Sequence, residues 1–189
     1  MATQDPRIDI LEVSDETIEF HILGVSPLIC HRMAQKGARE LLAPAGRKTS
    51  AEKAQTLKHD PIAEFQSSPY TLRDGPTLIG MLSTAFKAAM GTAALDLPGA
   101  TRSRIGRLVW VEGGVVPIYG VPQLLMSIVR SADFNRTPDV RSRAILPEWA
   151  AIIRVSFVTP ALRAPAIANL LNAAGRTAGI GDWRQEKGS

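Results

Sequence analysis

Between positions 149 and 158 every second residue is apolar: Trp149, Ala151, Ile153, Val155 and Phe157. Side chains of an extended chain point alternately to opposite faces, so this set forms one buried edge and predicts a strong strand. The other edge, Ala150, Ile152, Arg154, Ser156 and Val158, is mixed. A helix is expected over 165–174, with Pro165 at its first position and Ile167, Leu170, Leu171 and Ala174 on one face. Gly175 is its expected stop. The chain then runs through Gly179-Ile180-Gly181-Asp182-Trp183-Arg184-Gln185-Glu186-Lys187-Gly188, a loop that gathers bare backbone, an aromatic plane and cations.

Upstream, 17–23 alternates, with Ile18, Phe20 and Ile22 on one face and Thr17, Glu19 and His21 on the other, a half-buried strand ended by Pro27. Leu78, Leu82, Phe86, Ala89 and Met90 recur at helical spacing, which predicts a helix over 77–90 capped by Thr77 and ended by Gly91. Segments 107–111 and 115–119 flank Glu112-Gly113-Gly114 and read as a β-hairpin, with a third short strand over 120–128. Residues 31–70 carry Arg32, Lys36, Arg39, Arg47, Lys48, Lys53 and Lys58 against Glu40, Glu52, Asp60 and Glu64. They read as a basic, solvent-facing helical insertion in which Asp60 caps a short helix opening at Pro61. The order is βαββαβ. This predicts an α+β, ferredoxin-like (RRM-like) antiparallel sheet in a single domain over 1–189, with 31–70 the helical insertion and 120–147 an arginine-rich loop region.

Composition narrows the chemistry. An apolar fraction of 45% with 21% charged residues supports an ordinary packed core. A net charge of +4 permits a polyanionic partner without requiring one. The single cysteine, Cys30, excludes an intrachain disulfide and suits a reducing, cytoplasmic setting. With His21, His31 and His59 it forms no metal-ligand spacing, and no phosphate-binding or dinucleotide fingerprint is present, so no metal or cofactor is expected. No apolar run approaches the ~18 residues of a membrane span, and the first residues lack a signal-peptide layout, so no membrane partner is expected.

Three groups of residues point to nucleic acid. Gly179 and Gly181 let backbone amides approach a phosphate, Arg184 and Lys187 supply charge, and Trp183 can stack on an unpaired base. Segment 101–143 has arginines and no lysine; Arg130, Arg136, Arg141 and Arg143 offer bidentate phosphate contacts, with Tyr119 and Phe134 among them. His31 beside Arg32 offers a third contact, and a general acid/base for RNA cleavage. Each has a bland counterpart: a C-terminal turn whose Trp183 covers the sheet, solvated surface arginines, a structural histidine.

The strand, helix and glycine loop together resemble the C-terminal half of the RAMP superfamily, the RNA-binding subunits of CRISPR effector complexes. Ala178-Gly179-Ile180-Gly181 and Gly188 fit that family's glycine-loop pattern, and the helix after a long insertion resembles the first helix of its backbone subunits. The ending is also similar to that of small phage-encoded proteins. The chain departs from the family pattern by stopping at Ser189, before the further glycine and apolar strand residue, and by offering His31-Arg32 without an acid nearby in sequence. The resemblance implies a non-catalytic, single-stranded nucleic-acid-binding protein, RNA before DNA, whose copies form a homo-oligomer or larger nucleoprotein assembly side by side along the strand. The alternatives are a phage structural or protein-interaction component and a metal-independent endoribonuclease.

Overall fold

The computed structural model describes residues 11–32, 60–130 and 138–184. Its strands are β1 (Ser14–Leu23), β2 (Leu28–Ile29), β3 (Tyr70–Thr71), β4 (Ile79–Leu82), β5 (Val109–Val111), β6 (Val115–Gly120), β7 (Gln123–Arg130), β8 (Pro138–Leu146) and β9 (Trp149–Thr159). The helices are α1 (Pro61–Ser67), α2 (Ser83–Ala93), α3 (Arg102–Leu108) and α4 (Ala164–Thr177). All described strand pairings are antiparallel, and the class is α+β.

The frame is one long, bent ribbon. β5 and β6 lie end to end along β9, with Val111 opposite Val155 and Ile118 opposite Ala151. β7 continues from β6 and pairs with β8 from Gln123↔Ile145 to Arg130↔Pro138. The ribbon bends where Gly120-Val121-Pro122 faces Pro147-Glu148. Proline removes a ladder donor there, and Gly120 is needed because a Cβ would sit 2.6 Å from the Glu148 carbonyl. A third strand follows the same bend on the far side: β1 runs along β9 and β2 along β8. Between them Gly24 leaves room for the Trp149 indole, whose Nε1 donates to the Ser26 carbonyl at 2.9 Å.

At the β9 end the alternation read from the sequence is realised. Ile153, Val155 and Phe157 are buried with Ala151, against Phe86, Met90 and Ala93 of α2 and Ile167, Leu170 and Ala174 of α4. Ile18, Phe20 and Ile22 of β1 join the same face. Both helices therefore cover one side of the sheet. On the other side Glu112 accepts from the Ser156 hydroxyl at 2.8 Å and pairs with Arg154 at 3.3 Å. Trp110, Tyr119 and Ile152 are partly exposed there.

Several expectations are corrected. Gly113, with φ at 77°, forms a short excursion and not a reversal; β5 and β6 both pair with β9, so the hairpin expected around it is absent. The hairpin instead pairs β7 with β8: the short strand expected over 120–128 is present as β7, and β8 is strand where 120–147 was expected to be an arginine-rich loop region. The helix expected over 77–90 splits: Ile79–Leu82 pairs with β6, and helix begins only at Ser83, then runs through Gly91. Thr77 is no cap; its hydroxyl donates to the Ile79 carbonyl at 2.7 Å. Helix α3 was not expected; the Thr101 hydroxyl caps it by accepting from the Arg104 N–H. Helix α4 passes Gly175 and ends before Gly179, whose φ of 69° stops it. The capping expected of Asp60 is present, its carboxylate accepting from the Ile62 and Ala63 amides at 3.1 Å. The remainder of the expected insertion, 33–59, lies outside the described residues.

Candidate nucleic-acid interface

After α4 the chain turns back and touches β2. Gly179 and Gly181 have φ of 69° and 86°, and between them they reverse the backbone. Gly181 has a second reason to be glycine: a Cβ there would lie 2.7 Å from the Ile29 carbonyl oxygen and 2.7 Å from Leu28 Cδ1. That close approach lets Asp182 form a bridge to Ile29, its N–H donating to the Ile29 carbonyl at 3.0 Å. The glycines thus bring the loop onto protein backbone, and the next residues turn Asp182 inward and Trp183 outward.

Asp182 is the hub. Its side chain is only 10% exposed, and Oδ2 lies 2.6 Å from Arg143 Nη1 of β8 and 3.4 Å from His31 Nδ1, just past β2. The Arg143 contact is an ion pair whose angle falls outside hydrogen-bond geometry. A carboxylate this enclosed is held by the Arg143 guanidinium, and removing either member of that pair would leave a costly buried charge. Three separate segments therefore meet at one side chain: the start of the insertion, the hairpin and the glycine loop. Trp183, 43% exposed, follows with φ at 52°, a left-handed conformation that costs a non-glycine residue about 1 kcal/mol. Arg184 adjoins it and makes its own contacts.

Around this hub the remaining candidates fall in or out. Arg141 shares the β8 face of Arg143, two residues along, and pairs with Asp139 at 3.0 Å while staying half exposed. Arg32, next to His31, lays its guanidinium over the Tyr70 ring at 5.4 Å, and its backbone N–H donates to the Ser68 carbonyl. Arg130 sits at the end of β7 on the opposite face of the hairpin from Arg141 and Arg143, so it does not share their surface. Arg136 and Lys187 lie outside the described residues.

The ion pairing at this hub has no sequence signal: read from the sequence, Asp182 stands with Glu186 and Asp60 as acids whose spacing requires no magnesium, and neither Arg143 nor His31 is marked as its partner. Tyr70, under Arg32, gave no sequence signal. Cys30, beside His31, is fully enclosed, and burial pushes its thiol up to about 11, which removes it as a nucleophile at neutral pH. Among the described residues no three His, Cys, Asp or Glu side chains are grouped to hold a metal ion, and no helix is long and apolar enough to cross a membrane. A cavity of about 470 Å³ between α1 and the end of β6 is lined by Phe65, Pro69, Leu78, Tyr119 and other uncharged residues, and offers no acid or base.

The fold and this cluster define an α+β protein with a half-exposed histidine, arginines and an aromatic ring gathered around a buried carboxylate. Compared with models of known families, with curated proteins and with solved structures, the chain finds no match.

Proposed function

We propose that this protein binds single-stranded nucleic acid, RNA in preference to DNA, without cleaving it, and that copies assemble side by side along the strand. One observation carries the reading: Asp182 draws His31 of the insertion and Arg143 of the hairpin to the glycine loop, so segments far apart in sequence contribute to one surface. In this reading Arg143 positions the surface, because it is nearly enclosed beside Asp182, whereas Arg141 stays half exposed beside Asp139. Arg141, Arg32 and Arg184 contact phosphates, and Trp183 stacks on a base. We read the finer plan as ferredoxin-like, a reading supported by β1, α2, β5–β6, β9 and α4 following in chain order with β9 between β1 and β6, although no described strand takes the last place of βαββαβ. The resemblance to RAMP subunits supports the same placement at the glycine loop.

Fluorescence anisotropy with a labelled single-stranded RNA and the same sequence as DNA tests it. Binding should weaken steeply with salt, and Trp183→Ala should raise Kd by about 5- to 150-fold, the range of one lost base stack. Arg141→Ala should reduce the salt slope by about one. No binding at low salt by the folded full-length chain would overturn the proposal.

A second reading rests on the 3.4 Å approach of His31 Nδ1 to Asp182, which orients the ring as a general acid/base would be oriented. RNA recovered intact from the same incubation argues against it. Metal-independent cleavage that His31→Ala abolishes, with binding retained, would replace the first reading.

A further inference from the structure

The hairpin has a bare edge whose hydrogen-bonding pattern can be read from its neighbours. Ser142 and Ala144 of β8 send their amides away from β7, to Glu64 Oε2 at 3.0 Å and Ser68 Oγ at 2.7 Å. The Ala144 carbonyl likewise accepts from the Cys30 N–H on that side. Even-numbered residues of β8 therefore face outward and odd-numbered ones bond β7. Through the register Leu124↔Ala144 and Met126↔Ser142, odd-numbered residues of β7 face β8. Leu124, Met126, Ile128 and Arg130 direct their backbone groups to the open edge, where no described strand pairs.

The side chains of those residues share one face, and Leu124, Met126 and Ile128 are 42%, 54% and 79% exposed. Native edges are usually guarded by proline, a bulge or an inward charge. β7 has none of these over Gln123–Arg130, and its one charge stands at the end. The other long edge is different: β1 carries Asp15, Glu16 and Glu19, which repel a second copy of itself.

We infer that β7 is a self-pairing edge, and that a second copy of this chain docks on it antiparallel about a two-fold axis at Met126 or Ser127. The two three-stranded sheets β2-β8-β7 then become one six-stranded sheet. Either axis sets even-numbered residues opposite even-numbered ones, so outward backbone groups meet outward backbone groups. The apolar rows of Leu124, Met126 and Ile128 join on one face, and the two copies of Arg130 stand at opposite ends of the joint. The contact is isologous and closes on itself, so it makes a dimer, which is the unit that would repeat along a nucleic-acid strand.

Sedimentation of the full-length chain without nucleic acid tests this. Twice the 20.4 kDa chain mass is expected at micromolar concentration. Met126→Lys places two like charges beside the axis, and Met126→Pro removes an outward donor that β8 does not use; each should give the single-chain mass with an unchanged circular dichroism spectrum. Under oxidation Met126→Cys should cross-link to a dimer, whereas Leu78→Cys, more exposed but off the edge, should not. A single-chain mass throughout the micromolar range, a dimer that survives Met126→Lys, or equal cross-linking at both positions would overturn the inference. Because no nucleic acid is present, such a failure leaves the binding reading standing on its own test.

Discussion

The two ends of the ribbon carry the same alternation and meet opposite fates. At β9, Ile153, Val155 and Phe157 are sealed beneath α2 and α4; at β7, Leu124, Met126 and Ile128 repeat every second residue and remain exposed. Alternation makes a strand in both places. What differs is the covering layer: two helices lie over one end, whereas the single short helix α1 packs mainly along β8, where Glu64 and the following Ser68 accept from its amides. The period of a strand tells which side chains share a face, and only the next layer decides whether that face is core or surface.

The sharpest way to break that contrast is truncation at each end. Phe157→Ala, at a fully enclosed position, should cost about 3–5 kcal/mol through lost contact and residual cavity. Ile128→Ala, 79% exposed, should cost less than about 0.5 kcal/mol of chain stability, the usual range for surface sites. Urea denaturation at low protein concentration, where the chain is monomeric, measures both. A loss at Ile128 close to that at Phe157 would mean that the hairpin face is core after all.

Asp182 decides whether the two ends act as one body. It ties the loop after α4, which belongs to the β9 end, to Arg143 of the hairpin. Asp182→Ala leaves the Arg143 guanidinium, 12% exposed, without its carboxylate, and should cost about 3 kcal/mol, at the low end for broken buried pairs. Arg143→Ala and the double variant complete a cycle, with an expected coupling of about 1–3 kcal/mol. Additive losses in thermal melts would mean that Asp182 serves the loop alone and that the hairpin is anchored elsewhere.

The sequence was most legible where one residue type has one physical meaning. The inward set of β9, the face of α4 and the Asp60 cap were all readable because burial and capping are local rules. Glycine misled twice. Gly113-Gly114 suggested a reversal, and Gly175 a helix end, because glycine permits these shapes without requiring them; the pairing of β6 with β9 and the continuing α4 ladder decided otherwise. At 77–90 helical spacing continued into residues that β6 claims as a strand, a long-range pairing that no local pattern encodes. For the candidate interface, the glycine loop and several of the arginines near it were visible. The meeting of His31, Arg143 and Asp182 was not, since it depends on the bend that swings β2 and β8 beneath the loop.

The smallest effect asks which glycines the chain needs for shape. Gly175 lies inside α4, and a methyl group added at its Cα would have nothing within 4 Å, so Gly175→Ala fits without strain and restricts the unfolded chain. It should stabilise by about 0.5–1 kcal/mol, a rise of a few degrees in Tm. Gly181→Ala should do the reverse, because at φ 86° its Cβ would press on the Ile29 carbonyl from 2.7 Å. The loss should exceed the Gly175 gain, and with it the Asp182 bridge and nucleic-acid affinity should fall together. If Gly181→Ala melted like the parent and bound RNA equally well, the loop would not rest on β2, and the hub would be no part of what joins the two ends.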